Sequence, residues 1–409
     1  MLTLNCTRCE TSTPVGAGAL RCPACGEPLE IRGYTRPAIR SGSWHDQTLV
    51  ERYAEFLPAE GYRASLSLGE GFTPLVDAPE LAARIGVSRL LLKNETVNPT
   101  WSFKDRGTVV ALSEALRLGY RAVGVVSTGN MAASVAAYGA RAGIPVLVLV
   151  SMETPAEKLT GIAVYGPSIV RVLGDYADLY YVSLGLGDGR IRFLNSDSPA
   201  RVEGSKTIAF EVCEQTGYNP PGWVIVPTSS GGNIRGIAKG FEEIMEAGLI
   251  RSVPRLVCAQ AAGCAPIYEA WCRGTDEILA VEHPHTIAHA IANPRPPSGN
   301  AVLRRLRNSD GVCVAVDDES IVACQLQLAT AGLFGQPEGA VPLAAAYALA
   351  RTGLLHRDDT VMCVVTGSGL KYPRAVEAKL PASRECSFDD LGTYVAGWLE
   401  SLAPGRQVP

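Results

Sequence analysis

At 409 residues, 47% hydrophobic and 19% charged, the chain has the composition of a soluble globular enzyme of two or three lobes, not of a disordered protein. Its 37 basic and 41 acidic side chains leave a net charge of −4, which offers nothing to nucleic acid or to an anionic membrane surface. No apolar run reaches the ~18 residues that span a bilayer, and the opening MLTLNCTRCE lacks the basic start and apolar stretch of a signal peptide, so a cytoplasmic location is expected.

Residues 1–34 differ from the rest. CTRCE and CPACGEPLEIRGY put Cys6, Cys9, Cys22 and Cys25 in a C-x2-C, twelve-residue, C-x2-C pattern. Two such turns supply four thiolates that can close tetrahedrally on zinc, with a short hairpin expected in VGAGAL between them. A metal-free knob and a redox pair Cys22/Cys25 are the alternatives. The remaining eight cysteines are scattered through apolar contexts and read as reduced thiols.

SLSLGEGFTPL is a loop leading into a short strand, and RLLLKNE reads as a strand. From about 107 to 380 the chain alternates. Strands are expected in RAVGVV, IPVLVLV, SIVRVLG, WVIVP, RLVCAQ and VMCVVTG. Helices are expected in MAASVAAYGARAG, KTIAFEVCEQTG and NIRGIAKGFEEIMEAG, with one more in the tail around FDDLGTYVAGWLESL. Short β-rich runs between helical patterns predict an α/β fold with largely parallel sheets. The expected division is a ribbon over 1–34 and a catalytic region over 35–409, whose smaller lobe covers roughly 107–200.

Ligands in such sheets bind at the carboxyl ends of strands, and three predicted strands end in unusual loops. In VVSTGN, Ser127 and Thr128 follow a strand and Asn130 opens a helix, whose N-terminus offers free N–H groups; plain N-capping explains the same residues. In VPTSSGGN, Ser229, Ser230, Gly231, Gly232 and Asn233 link a strand to a helix, and adjacent glycines let backbone N–H groups converge on a phosphate. The loop is neither G-x-G-x-x-G nor a P-loop, which weighs against dinucleotides and nucleoside triphosphates. In VVTGSG, Thr366 ends a strand with its hydroxyl available to an uncharged ring nitrogen. NPTWSFKDRG adds Lys104 at an expected helix start, where the dipole lowers its pKa and a neutral amine can bond to an aldehyde. A lysine, a phosphate cradle and contacts for a ring hydroxyl and a ring nitrogen describe a pyridoxal phosphate site. The alternative for Lys104 is a solvated charge paired with Asp105.

NPTWSFKDRG, VVSTGNMAAS, RVEGSKTIAFEV, VPTSSGGNIRGIAKGF and VVTGSGLK, with the early LGEGFTPL, resemble the threonine synthases, which are fold-type-II pyridoxal phosphate enzymes. The order and spacing of these motifs hold over about residues 60–375. The resemblance implies two doubly wound lobes around a cleft, a small amino-acid substrate and a homodimer. It implies that Lys104 holds the cofactor and moves protons beside Phe103. Asn130 would meet the pyridine hydroxyl, the Ser229–Asn233 loop the cofactor phosphate, and Thr366 the ring nitrogen. A substrate phosphate would be held by Ser127, Thr128, Asn195, Ser196, Arg201 and Asn233. An ion pair with Glu203 is the alternative for Arg201. The implied reaction turns O-phosphohomoserine and water into threonine and phosphate.

The chain departs from the family pattern at four points. Trp101 stands where glycine is usual, Ser368 replaces the histidine of TGHGLKD, Tyr372 replaces its aspartate, and AIANPRPPSGN matches its segment only partly. These changes favour, as the alternative, a β- or γ-replacement enzyme acting on another phosphorylated amino acid. A serine/threonine dehydratase comes third, and a catalytically dead binding protein is the reading from outside enzymology.

Overall fold

The computed structural model describes residues 2–16, 18–34, 46–154, 156–174, 176–187 and 189–401. The expected boundary at 34/35 adjoins residues outside that set. The chain separates into two compact units, Met1–Pro373 and Arg374–Pro409. The second contains the tail helix, Leu391–Ser401, of which no residue is buried. Among the described residues no helix is long and apolar enough to cross a membrane.

The first unit contains three sheets. A small antiparallel sheet, ordered β2-β1-β3, comprises β1 (Thr3–Cys6), β2 (Ser12–Pro14) and β3 (Leu29–Arg32). Among the described residues the hairpin is therefore β1–β2, turning through the first cysteine pair; VGAGAL includes residue 17, outside the described set, and its Gly18 O accepts from Arg192 Nη1 at 2.6 Å. The four predicted cysteine sulfurs lie within 4.8 Å of one another.

The second sheet, ordered β12-β11-β10-β13-β5-β4, contains β4 (Leu75–Asp77), β5 (Arg89–Asn94), β10 (Trp223–Pro227), β11 (Arg255–Ala261), β12 (Val312–Val316) and β13 (Thr360–Val365). All its pairings are parallel except β4 with β5 at one edge. The third, ordered β8-β7-β6-β9 and wholly parallel, contains β6 (Ala122–Val126), β7 (Val146–Ser151), β8 (Ser168–Val172) and β9 (Ile191–Phe193). Central strands such as WVIVP are buried along their whole length, because helices cover both faces of parallel sheets.

The Pro199–Gln215 helix runs through the middle of this unit, with 15 of its 17 residues buried. It starts seven residues before the helical pattern in KTIAFEVCEQTG, because Pro199 supplies a pre-set first helical position. Gly204 permits the close approach of its neighbour, since a Cβ there would lie 2.1 Å from Arg106 O. Ion pairs then fix the contact: Arg106 Nε reaches Glu95 Oε2 at 2.7 Å, and Arg106 Nη1 reaches Glu211 Oε1 at 2.5 Å. These bonds anchor the helix that begins at Lys104.

Candidate active site

The two larger sheets each contain a point where strand order reverses, which is where doubly wound folds open a crevice. In the six-stranded sheet it lies between β10 and β13, so the loops SSGGN and TGSG leave the sheet side by side. In the four-stranded sheet it lies between β6 and β9, so STGN adjoins the loop at Asn195 and Ser196. A cavity of about 520 Å³ is lined by Lys104, Ser127, Thr128, Asn130, Ser196, Ser229 and Ser230, together with residues not foreseen from the sequence.

Lys104 is the first residue of the Lys104–Arg117 helix, and its Nζ lies 4.4 Å from the centre of the Phe103 ring. Its pKa is lowered to about 7, first by burial and then by the Arg201 charge, while Glu338 acts in the opposite sense. Burial is thus the leading cause. Asp105 does not pair with the lysine. Its carboxylate accepts from Thr100 N at 2.7 Å and from the Thr100 and Ser134 hydroxyls at 2.6 Å. Phe103 N donates to Thr366 O at 3.0 Å, which ties the lysine loop to the end of β13.

Asn130 opens the Asn130–Ala142 helix. Its Nδ2 donates to Gln336 Oε1 at 2.6 Å, and its Oδ1 accepts from Lys371 Nζ at 2.8 Å. Ser127 Oγ accepts from Gly129 N at 3.2 Å, so this hydroxyl braces the turn as well as facing the cavity.

The glycine pair precedes the Gly232–Glu246 helix. Gly231 has φ +92°, in the left-handed region, as its type allows. A Cβ on Gly232 would lie 2.2 Å from Ser196 O, and one on Gly231 would lie 2.9 Å from Ser298 Cβ. Neighbouring chain therefore demands both glycines, independently of any ligand. Asn233 keeps both side-chain polar atoms buried without a partner, which is costly unless a ligand completes them. Gly232→Ala should destabilise the protein by about 2–3 kcal/mol through this backbone clash. Thermal unfolding with and without pyridoxal phosphate checks it, with a smaller cofactor-induced gain expected in the variant.

The residues expected around a substrate phosphate divide. Ser196 faces the cavity with its hydroxyl buried and unpartnered. Asn195 does not line the cavity. Its Oδ1 accepts from Val126 N at 3.2 Å and its Nδ2 donates to Ser183 Oγ at 2.8 Å, so it holds β6 and β9 in place. Arg201 is buried, donating to Thr108 Oγ1 at 2.9 Å and to Lys104 O at 3.1 Å. The alternative ion pair with Glu203 does not form, because that carboxylate is engaged by Lys206, Lys239 and Tyr34. Among the described residues Arg201 has no carboxylate within ion-pair distance, and burial lowers its pKa to about 10.

Sequence reasoning missed Lys371, Gln336, Glu338 and His289, which line the cavity together with Trp101 and Tyr372, two of the departures from the family pattern. Lys371 stood in view within TGSGLK, and burial lowers its amine to about 8. Gln336 and Glu338 begin the Pro337–Arg351 helix, which no predicted element covered. The departures from the family pattern meet one another. Trp101 has φ +61°, a left-handed conformation that glycine adopts freely, which explains the usual glycine there. Trp101 O accepts from Ser368 N at 3.0 Å, and Tyr372 packs edge-on against His289 with ring centres 5.5 Å apart.

A family model described as pyridoxal-phosphate dependent enzyme matches residues 66–367. The threonine synthase of Methanocaldococcus jannaschii is 39% identical over 347 residues, covering 84% of this chain and 86% of that protein. The threonine synthase of Mycobacterium leprae is 36% identical, covering 82% and 91%. In fold, the chain is similar to maize serine racemase, with TM-score 0.63 and 23% identity over 80% of this chain and 92% of that one. It is also similar to a fungal L-serine ammonia-lyase from Rhizomucor miehei, with TM-score 0.63 and 22% identity over 72% and 93%. The chain belongs to the pyridoxal-phosphate-dependent enzymes and, within them, to the threonine synthase family.

Proposed function

We propose that this protein is a threonine synthase, converting O-phosphohomoserine and water into threonine and phosphate. The observation that carries the phosphorylated substrate is Arg201. A buried guanidinium whose acceptors among the described residues are neutral, one of them the lysine's own carbonyl, calls for an anion of its own. A free serine or threonine does not need it.

The site suits pyridoxal phosphate on three counts: a lysine kept neutral near pH 7, a glycine pair at a helix N-terminus, and the unsatisfied amide of Asn233. The cofactor supplies a sink for charge developing at Cα of the substrate. Lys104 would hold it, and its amine, with a pKa close to neutrality, would serve as the general base for the Cα proton. Ser229, Ser230, Gly231 and Gly232 would cradle its phosphate, Thr366 would meet the ring nitrogen, and Asn130, already oriented by Gln336 and Lys371, would meet the ring hydroxyl. Ser127 and Thr128, at a helix N-terminus, receive the substrate's anionic end. Ser196 and Arg201 hold the phosphate as it leaves Cγ. Asn195 acts on substrate only through the loop that it anchors.

Zinc in the cysteine cluster is a further part of this reading. Sulfur separations of 3.4 Å for Cys6–Cys25, 3.6 Å for Cys9–Cys22 and 3.5 Å for Cys9–Cys25 are near the ~3.8 Å of thiolates sharing one tetrahedral zinc.

Incubation with O-phosphohomoserine should release phosphate and threonine in equal amounts, read by phosphate assay and mass spectrometry. Ammonia and a keto acid, without phosphate release, would mark a dehydratase. The coupled substitutions at Trp101 and Ser368 favour a second reading, a replacement enzyme for another phosphorylated amino acid. Phosphate release from a different substrate, with none from O-phosphohomoserine, would establish it.

A further inference from the structure

One side chain beside the second cysteine pair reaches the loops that line the cavity. Arg21 directly precedes Cys22, and its Nε donates to Gly26 O at 2.5 Å, so the guanidinium is braced across the second cysteine turn. Its Nη1 donates to Asp197 Oδ2 at 2.6 Å and to Tyr180 OH at 3.2 Å, and its Nη2 donates to Pro297 O at 2.9 Å. Tyr180 OH donates in turn to Asp197 Oδ1 at 2.6 Å.

Both ends of this arrangement abut the site. Asp197 is buried and follows Ser196, whose unpartnered hydroxyl faces the cavity. Pro297 precedes Ser298, whose N–H donates to Ser230 O at 3.0 Å. One guanidinium therefore ties the loop after β9 to the segment backing the loop after β10. The separation of those loops has little slack, because Ser196 O occupies the space that a Cβ on Gly232 would need. A largely buried ion pair of this kind adds little net stability but fixes geometry, as a planar guanidinium bridging four acceptors does.

We propose that Arg21 is a positioning residue for the reaction, holding the Ser196 loop at the distance from the glycine loop that the substrate phosphate requires. The proposal rests on the reading of this site as one that accepts a phosphorylated amino acid. Arg21 touches neither substrate nor cofactor, so its loss should weaken phosphate binding while sparing the chemistry at Cα.

The test compares Arg21→Ala and Arg21→Lys holoenzymes with wild type. For Arg21→Ala, the KM for O-phosphohomoserine and the dissociation constant for inorganic phosphate, measured by calorimetry, should both rise at least about tenfold. The kcat should stay within about threefold, with cofactor content and visible absorbance unchanged. Arg21→Lys keeps a charge for Asp197 but cannot also reach Pro297 O, and should fall between the two. Arg8→Ala is the control: that arginine lies in the turn between β1 and β2, its one ion-pair partner among the described residues is the exposed Glu277 at 3.4 Å, and its loss should leave both constants alone. Folded Arg21→Ala with both constants within about twofold of wild type overturns the proposal, as does loss of cofactor with kcat and affinity falling together. If Arg21→Ala fails to fold, an unchanged phosphate constant in Arg21→Lys overturns it. Phosphate binding needs no turnover, which separates the two claims. An inactive wild type with Arg21-dependent phosphate binding refutes the threonine synthase reading alone. Threonine formation with Arg21-independent binding refutes only the role of Arg21.

Discussion

Lys104→Ala should lower turnover by at least about 10³-fold and abolish fixation of the cofactor to the chain by borohydride. The lysine lies half-buried at a helix start with no carboxylate partner in Asp105, and burial with the Arg201 charge lowers its pKa to about 7. The sign follows directly. Only the neutral amine attacks an aldehyde, so recombination of apo-protein with pyridoxal phosphate should accelerate with rising pH through about 7 and then level off. A lysine at its ordinary value of 10.5 would still be gaining neutral form well above that. Stopped-flow recombination across pH 5.5–9.5 reads the midpoint, and a rate still climbing at the alkaline end would sink this account of the lysine.

Arg201→Met should act in opposite directions on function and on stability. For the phosphorylated substrate, kcat/KM should fall by about 10²–10³-fold, the worth of a charge-assisted contact that no other group replaces. The substrate-free protein should unfold at an equal or higher temperature. Arg201 is buried against neutral oxygens alone, and taking an unpaired charge out of a buried position removes a desolvation cost. Its removal leaves no orphan, because Thr108 Oγ1 also bonds Lys104 O at 2.9 Å and Ser134 Oγ at 2.6 Å. The variant should also raise the Lys104 midpoint, since its charge is the second cause depressing it. A clear drop in melting temperature with kcat/KM unchanged would show a purely structural arginine.

Much of the candidate site was legible because local chemistry carries it. STGN, SSGGN and TGSG each follow a short apolar run and lead into a helical turn, so strand-end loops could be recognised without knowing which strands are neighbours. Lys104 stood out in the same way, among turn residues. The Pro337–Arg351 helix was hidden by local chemistry of another kind: Pro337 begins it and Pro342 lies inside it, and two prolines so close together read as a breaker. The shift in the start of the Pro199–Gln215 helix has the same origin, since proline at the first helical position both stops and starts patterns.

The amino-acid sequence by itself determined the α/β alternation, the lysine and the loops that converge on it, because each of these features is written in a short local run of residues. Only the tertiary structure decided which polar side chains remain free for a ligand. Asn195 and Arg201 look alike in NSDSPAR as candidate phosphate contacts, yet Val126 and Ser183 occupy the first while, among the described residues, no carboxylate lies within ion-pair distance of the second. Asn130 is oriented by Gln336, 206 residues away, and Asp197 is held by Arg21, 176 residues away. Whether a buried polar group is satisfied depends on every element that packs against it, and that is a property of the folded chain.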